Sequence, residues 1–183
     1  MLYALRGYIK KQYICYRTMT HKVFVYGTLK KNEPNHYWLT APENGKGTFV
    51  SAATTKNKYP LIIATKYNIP FLLYSPGNGH HVCGEIYEVD DLMLSKLDIL
   101  EGHPDYYIRE VDDVVPKTLL SSNNSNQDPV KCWVYFLKNF KKELLSKPML
   151  ETYSSSGSHG LPYTERSQRD PNYKTSDEVK NRN

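Results

Sequence analysis

Hydrophobic and polar positions change rhythm several times along the chain. Residues 22–26, KVFVY, are a short run of strand formers, and the turn Gly27-Thr28 follows at once. EPNHYWL (33–39) suits a short helical turn, with Pro34 at an early helical position. GTFVSAATT (47–55) alternates and is rich in β-branched residues, which predicts a strand. LIIA (61–64) and IPFLLY (69–74) are apolar runs bounded by Pro60, Asn68 and SPGNG, again strand-like. HVCGEIYEV (81–89) is the strongest strand signal. DDLMLSKLDILEG follows it, with Leu92, Met93, Lys96, Leu97 and Leu100 at helical spacing, Asp90 or Asp91 placed to cap the start and Gly102 to stop the end. YYIREVDDVV (106–115) and VKCWVYFL (130–137) predict two further strands on either side of a solvated loop, SSNNSNQD, and NFKKELLSK predicts a short helix. Six or seven strands with one well-marked helix do not alternate as a doubly wound sheet requires. The pattern is α+β, a β-barrel with peripheral helices.

Within 81–89 the period of two places Cys83, Glu85, Tyr87 and Val89 on one face and Val82, Gly84, Ile86 and Glu88 on the other. Glu88 lies near the strand exit, where a charge is easily hydrated. Glu85 lies mid-strand on a largely apolar face, and a buried carboxylate without partners is rare outside functional sites. Glu85 on the solvated face of an edge strand is the competing reading, and periodicity weighs the two equally. The Tyr26-Gly27-Thr28 turn is similarly open. It is either a simple strand end or a small nest of backbone N–H groups able to hold a carboxylate or an oxyanion. It lacks the GxxxxGK[ST] spacing of a phosphate loop.

Composition narrows the function. The net charge of +5 is concentrated at the N-terminus: residues 1–22 hold Arg6, Lys10, Lys11, Arg17 and Lys22, and no acid appears before Glu33. With those five set aside, bases and acids balance, so the body carries no basic excess of the kind a phosphate-tracking groove needs. Nucleic acid is not an expected partner, and no apolar run reaches the length of a membrane span. Cys15, Cys83 and Cys132 are odd in number and form no CxxC pair, which fits a reducing, cytoplasmic setting. The six histidines show neither HxxxH nor HExxH spacing, and adjacent His80-His81 on a strand point to opposite faces. No metal site is expected. Neither a GxSxG elbow nor a cysteine in a catalytic setting is present. Residues 1–21 are expected to be a disordered basic leader, whose composition a mitochondrial presequence shares. Residues 22–166 are expected to form the barrel domain, and 167–183, polar and charged, a disordered tail.

Four separated segments, VFVYGTLKKNEPNH, GEIYEVDDLMLSKLDILEG, YYIRE and YSSSGSHGLPY, together resemble the γ-glutamylcyclotransferase family over roughly residues 21–166. The resemblance implies a small mixed β-barrel with flanking helices. It implies that Tyr26, Gly27, Thr28 and Leu29 bind the glutamyl part of the substrate and that Glu85 is the general acid/base. Asn32 stands where the family commonly carries Gly, and Asn tolerates the left-handed conformation next best.

The implied reaction is intramolecular: the free α-amine of a γ-glutamyl group attacks its own γ-carbonyl, closes 5-oxoproline and expels an amine. With γ-glutamyl-ε-lysine, the remnant of transglutaminase cross-links, that amine is lysine. Neither cofactor nor metal is implied, because holding the reactive conformer is most of the task. An apolar setting from Cys83, Val89 and the ring of Tyr87 would raise the Glu85 carboxyl into the range of a proton shuttle. Other γ-glutamyl amino acids or glutathione are alternative substrates, and a non-catalytic γ-glutamyl- or peptide-binding module is the alternative of a different class.

Overall fold

The computed structural model describes residues 20–117 and 128–181. The basic leader up to Met19 and nearly all of the SSNNSNQD loop lie outside the described residues. Seven strands are described: β1 (Thr20–Val25), β2 (Gly47–Tyr59), β3 (Leu61–Ala64), β4 (Ile69–Leu72), β5 (His80–Asp90), β6 (Ile108–Pro116) and β7 (Val130–Phe136). The helices are α1 (Tyr37–Thr40), α2 (Asp91–Glu101) and α3 (Ser176–Val179), with short 3₁₀ turns at Pro42–Asn44, Lys142–Ser146 and Arg166–Gln168.

Five strands close a barrel in the order β1-β5-β2-β6-β7, and a parallel bridge between Val23 and Trp133 seals β1 to β7. The other neighbours are antiparallel. β3 and β4 form a separate antiparallel pair. Alternation sorts the core into two clusters. Phe24, Ala53, Val82, Ile86, Val114 and Val134 come from all five barrel strands and fill its interior. Val23, Val25, Tyr87 and Val89 face outward and are covered by Met93 and Leu97 of α2 together with Phe71 of β4. The barrel interior is tight at Gly84, where an added Cβ would lie 2.4 Å from the Val25 carbonyl oxygen and 2.5 Å from the Phe24 ring. Only glycine lets β5 approach β1 this closely.

α2 starts and stops as its sequence predicts. The Asp90 carboxylate accepts from the Met93 amide at 2.8 Å, and Gly102 ends the helix in the left-handed conformation at φ 62°. Other boundaries moved. β1 begins at Thr20, so the first residues of the barrel fall inside the segment expected to be leader. The helix expected in NFKKELLSK is a single 3₁₀ turn, Lys142–Ser146.

The disorder expected from residue 167 onward does not hold for residues 167–181. Val179 is fully buried in the outer cluster, and its carbonyl accepts from the Lys141 amide at 2.8 Å. The Asp170 amide donates to the Tyr67 hydroxyl at 2.8 Å, and Lys180 Nζ donates to the Asp105 carbonyl. One apolar anchor and several backbone bonds order a segment whose composition is almost wholly polar. Among the described residues no helix is long and apolar enough to cross a membrane.

Candidate active site

Where β1 runs out, Tyr26–Leu29 form one wall of a pocket of about 280 Å³, near the lower end of the ~300–1,000 Å³ typical of small-molecule sites. The turn is held from several sides. The Lys30 amide donates to the Gly27 carbonyl at 3.2 Å and the Asn35 amide to the Thr28 carbonyl at 2.9 Å. The Asn35 side chain donates to Thr28 Oγ1 at 2.9 Å and to the Tyr163 hydroxyl at 3.0 Å. Asn32 takes the left-handed conformation at φ 66°, as expected where glycine is common. Gly27 packs against Pro70, whose Cγ would lie 3.0 Å from an added Cβ. Among the described residues the amides of Thr28 and Leu29 have no hydrogen-bond acceptor. Both residues line the pocket.

Glu85 is not part of this pocket. It projects from the outer face of β5, half-buried, and its Oε2 accepts from the Lys31 amide at 2.9 Å and from the Tyr87 hydroxyl at 3.0 Å. The apolar setting expected around it is replaced by two hydrogen-bond donors, because the loop after β1 folds back over this face of β5. Lys30, next to it in that loop, donates to the Tyr153 carbonyl, and burial lowers its amine from the usual lysine value. Glu85 thus braces the loop that carries the Tyr26–Leu29 turn.

The carboxyl that does line the pocket is Glu101. It is the last residue of α2, immediately before the Gly102 cap. Burial pushes its carboxyl up to about 7, against an opposing pull from Arg166. The C-terminal end of the helix dipole disfavours a negative charge there as well. Phenols surround it. Tyr26 donates its hydroxyl to the Tyr135 carbonyl at 2.8 Å, and Tyr107 reaches the Pro70 carbonyl. Burial holds both phenols well above the usual tyrosine value, and the charge of Glu101 adds to this. Both remain neutral donors at any physiological pH. Arg166, Arg169, Tyr163 and Thr175 complete the opposite wall from the C-terminal segment.

Sequence reasoning missed Glu101, although one signal was available. α2 carries Asp98 and Glu101 toward its C-terminal end and no basic residue in its last turn, the reverse of what the dipole favours. Asp98 is compensated by Arg109 at 2.8 Å and by the Tyr135 hydroxyl at 2.7 Å. Glu101 has no ion-pair partner within 4 Å among the described residues.

A sequence model of the family described as γ-glutamyl cyclotransferase, AIG2-like, matches residues 23–155. The chain belongs to this family. Its relatives include γ-glutamylaminecyclotransferase C of Danio rerio, 46% identical over 82% of this chain and 97% of that protein. γ-Glutamylaminecyclotransferase of Rattus norvegicus is 42% identical over 82% of this chain and 100% of its own length. The crystal structure of an AIG2-like protein from Mus musculus superposes with a TM-score of 0.74 at 42% identity, covering 82% of this chain and 99% of that one. As a member of this family, the chain has the mixed barrel that its hydrophobic pattern and the four motif segments imply.

Proposed function

We propose that this protein is a γ-glutamylamine cyclotransferase that converts γ-glutamyl-ε-lysine to 5-oxoproline and free lysine, with Glu101 rather than Glu85 as the general acid/base. The observation that carries the assignment is the position of Glu101, whose carboxyl lies near 7 in the pocket walled by the Tyr26–Leu29 turn. A carboxyl in that range is populated in both protonation states at neutral pH, which suits a group that must take a proton and return it. The curated names of the relatives support a γ-glutamylamine substrate over a γ-glutamyl α-amino acid or glutathione.

Tyr26, Gly27, Thr28 and Leu29 hold the glutamyl part, with the amides of Thr28 and Leu29 as donors to its oxygens. The α-amine gives up a proton to Glu101 and attacks the γ-carbonyl, forming the ring C–N bond. The tetrahedral intermediate collapses as the bond to the lysine ε-nitrogen breaks, and Glu101 delivers its proton to that nitrogen. Nucleophile and electrophile belong to one molecule, so fixing its folded conformer accounts for a large part of the acceleration, with effective molarities on the order of 10⁵–10⁸ M for well-oriented cases. Glu85 acts at a distance by holding the loop. Cys83 and Cys132 are free thiols, in keeping with a cytoplasmic location.

The test uses purified full-length protein with γ-glutamyl-ε-lysine, γ-glutamylalanine and glutathione, assayed for 5-oxoproline in ¹⁸O-labelled water. Unlabelled 5-oxoproline from the first substrate is the expected product, and acetylating the glutamyl α-amine abolishes it. Labelled glutamate as the primary product would mean hydrolysis and overturn the reading. Preference for glutathione or γ-glutamylalanine would retain the chemistry and reassign the substrate.

A further inference from the structure

The C-terminal segment brings two guanidinium groups to the pocket, Arg166 and Arg169. Neither lies within 4 Å of a carboxylate among the described residues. Arg169 is held on two sides: Nε donates to the Thr164 carbonyl at 3.0 Å, and its Cζ lies over the rings of Tyr163 and Tyr67 at 4.9 and 5.3 Å. Its Nη2 is buried and has no hydrogen-bond partner among the described residues. Among the described residues the Arg166 guanidinium makes only a long contact, 3.5 Å, to the Leu100 carbonyl. A buried donor left unpaired costs stability, and a stacked guanidinium fork is already shaped for two carboxylate oxygens. Such an arrangement persists most readily where a ligand supplies the acceptor.

The two ends of the pocket differ in a way that identifies which carboxylate. Tyr26, Leu29 and Tyr107 are buried, whereas Arg166 is exposed and Arg169 half-buried. A glutamyl group held by the turn therefore directs its leaving amine toward the arginines. We propose that Arg166 and Arg169 form a subsite for a carboxylate on the leaving amine, so that the enzyme selects γ-glutamyl amines whose leaving part carries a free carboxylate, as lysine does. This rests on the cyclotransferase reading above and adds the determinant of leaving-group choice. The segment that supplies the subsite is the polar C-terminal stretch that α3 fastens to the barrel through Val179.

The experiment compares γ-glutamyl-ε-lysine with γ-glutamylcadaverine, which is the same molecule with hydrogen in place of the leaving-group carboxylate. Steady-state release of 5-oxoproline is measured for the full-length wild type and for Arg169→Gln and Arg169→Lys. The wild type should favour the lysine substrate by about 10- to 100-fold in KM, the range for losing charge-assisted hydrogen bonds. Arg169→Gln should raise KM for that substrate by a similar factor, about 10- to 100-fold, leaving kcat and the cadaverine KM within about threefold. Arg169→Lys should recover part of the loss, since it keeps the charge without the fork. Equal damage to both substrates would assign Arg169 to the glutamyl end or to holding the segment, and would overturn the inference. So would a wild type indifferent to the carboxylate, a comparison that needs no variant to fold. Failure of the wild type to form 5-oxoproline from either substrate would overturn the cyclotransferase reading and this inference with it.

Discussion

Replacing Glu101 by Gln keeps the size and polarity of the side chain and removes its ability to carry a proton. If Glu101 is the shuttle, turnover falls by about 10²- to 10⁴-fold. The same substitution has a stability consequence of opposite sign. The carboxyl has an ordinary value of 4.5 in the unfolded chain and about 7 in the pocket. Between those values the folded chain keeps a proton that the unfolded chain has released, so this group's contribution to stability falls as pH rises and is flat on either side. Its full extent above pH 7 is about 3 kcal/mol, of which solvent at the pocket mouth screens a part, leaving about 2 kcal/mol. Glu101→Gln should therefore be nearly neutral at pH 4.5 and more stable than the wild type by about 2 kcal/mol at pH 8, while almost inactive. Urea unfolding at the two pH values, with 5-oxoproline release at saturating γ-glutamyl-ε-lysine, reads both. Activity within a few-fold of wild type would refute the catalytic role. A stability gain of equal size at pH 4.5 and pH 8 would refute the half-buried, proton-holding state from which that role was argued.

Three further expectations are open to direct measurement. The acid limb of kcat/KM should have an apparent pKa near 7 and move to higher pH in Arg166→Gln, because the Arg166 charge opposes the upward push on Glu101; a limb that stays in place would separate the two groups. Gly84→Ala should lower stability by about 3 kcal/mol or more, since its Cβ would meet the Val25 carbonyl and the Phe24 ring at once, and a chemical-denaturation midpoint close to wild type would show that β5 can shift. Val179→Asp buries a charge under α3 and should release the C-terminal segment, visible as faster proteolysis after residue 160 and a raised KM with the barrel's unfolding transition retained; an unchanged digestion pattern would mean that the segment is held without its anchor.

The two glutamates mark the limit of what the chain discloses as a string. The alternation in HVCGEIYEV is accurate: Val82 and Ile86 enter the barrel while Tyr87 and Val89 face α2, and Glu85 shares the outer face as predicted. That face gave no information on what covers Glu85, because its cover is a loop from about fifty residues earlier that donates its Lys31 amide just before the left-handed Asn32. A mid-strand carboxylate looked unsatisfied only because its donor was remote in sequence. Glu101 belongs to a helix that Asp90 and Gly102 bracket, and its raised carboxyl arises from burial against an opposing pull from Arg166, in a pocket it shares with Tyr26 just beyond β1 and Tyr107 on the approach to β6. No local window contains that cluster. The Tyr26-Gly27-Thr28 turn was legible as the end of a strand because the strand and its bare backbone are contiguous. The C-terminal wall was not, because Val179 is one apolar residue in a polar stretch and composition averages it away. A local anomaly did survive in the sequence: an acid closing a helix at the end where the dipole disfavours it, with no base in the last turn to offset it. A fold keeps such an acid at a cost in stability, and that cost fits the proton-shuttle role proposed for Glu101.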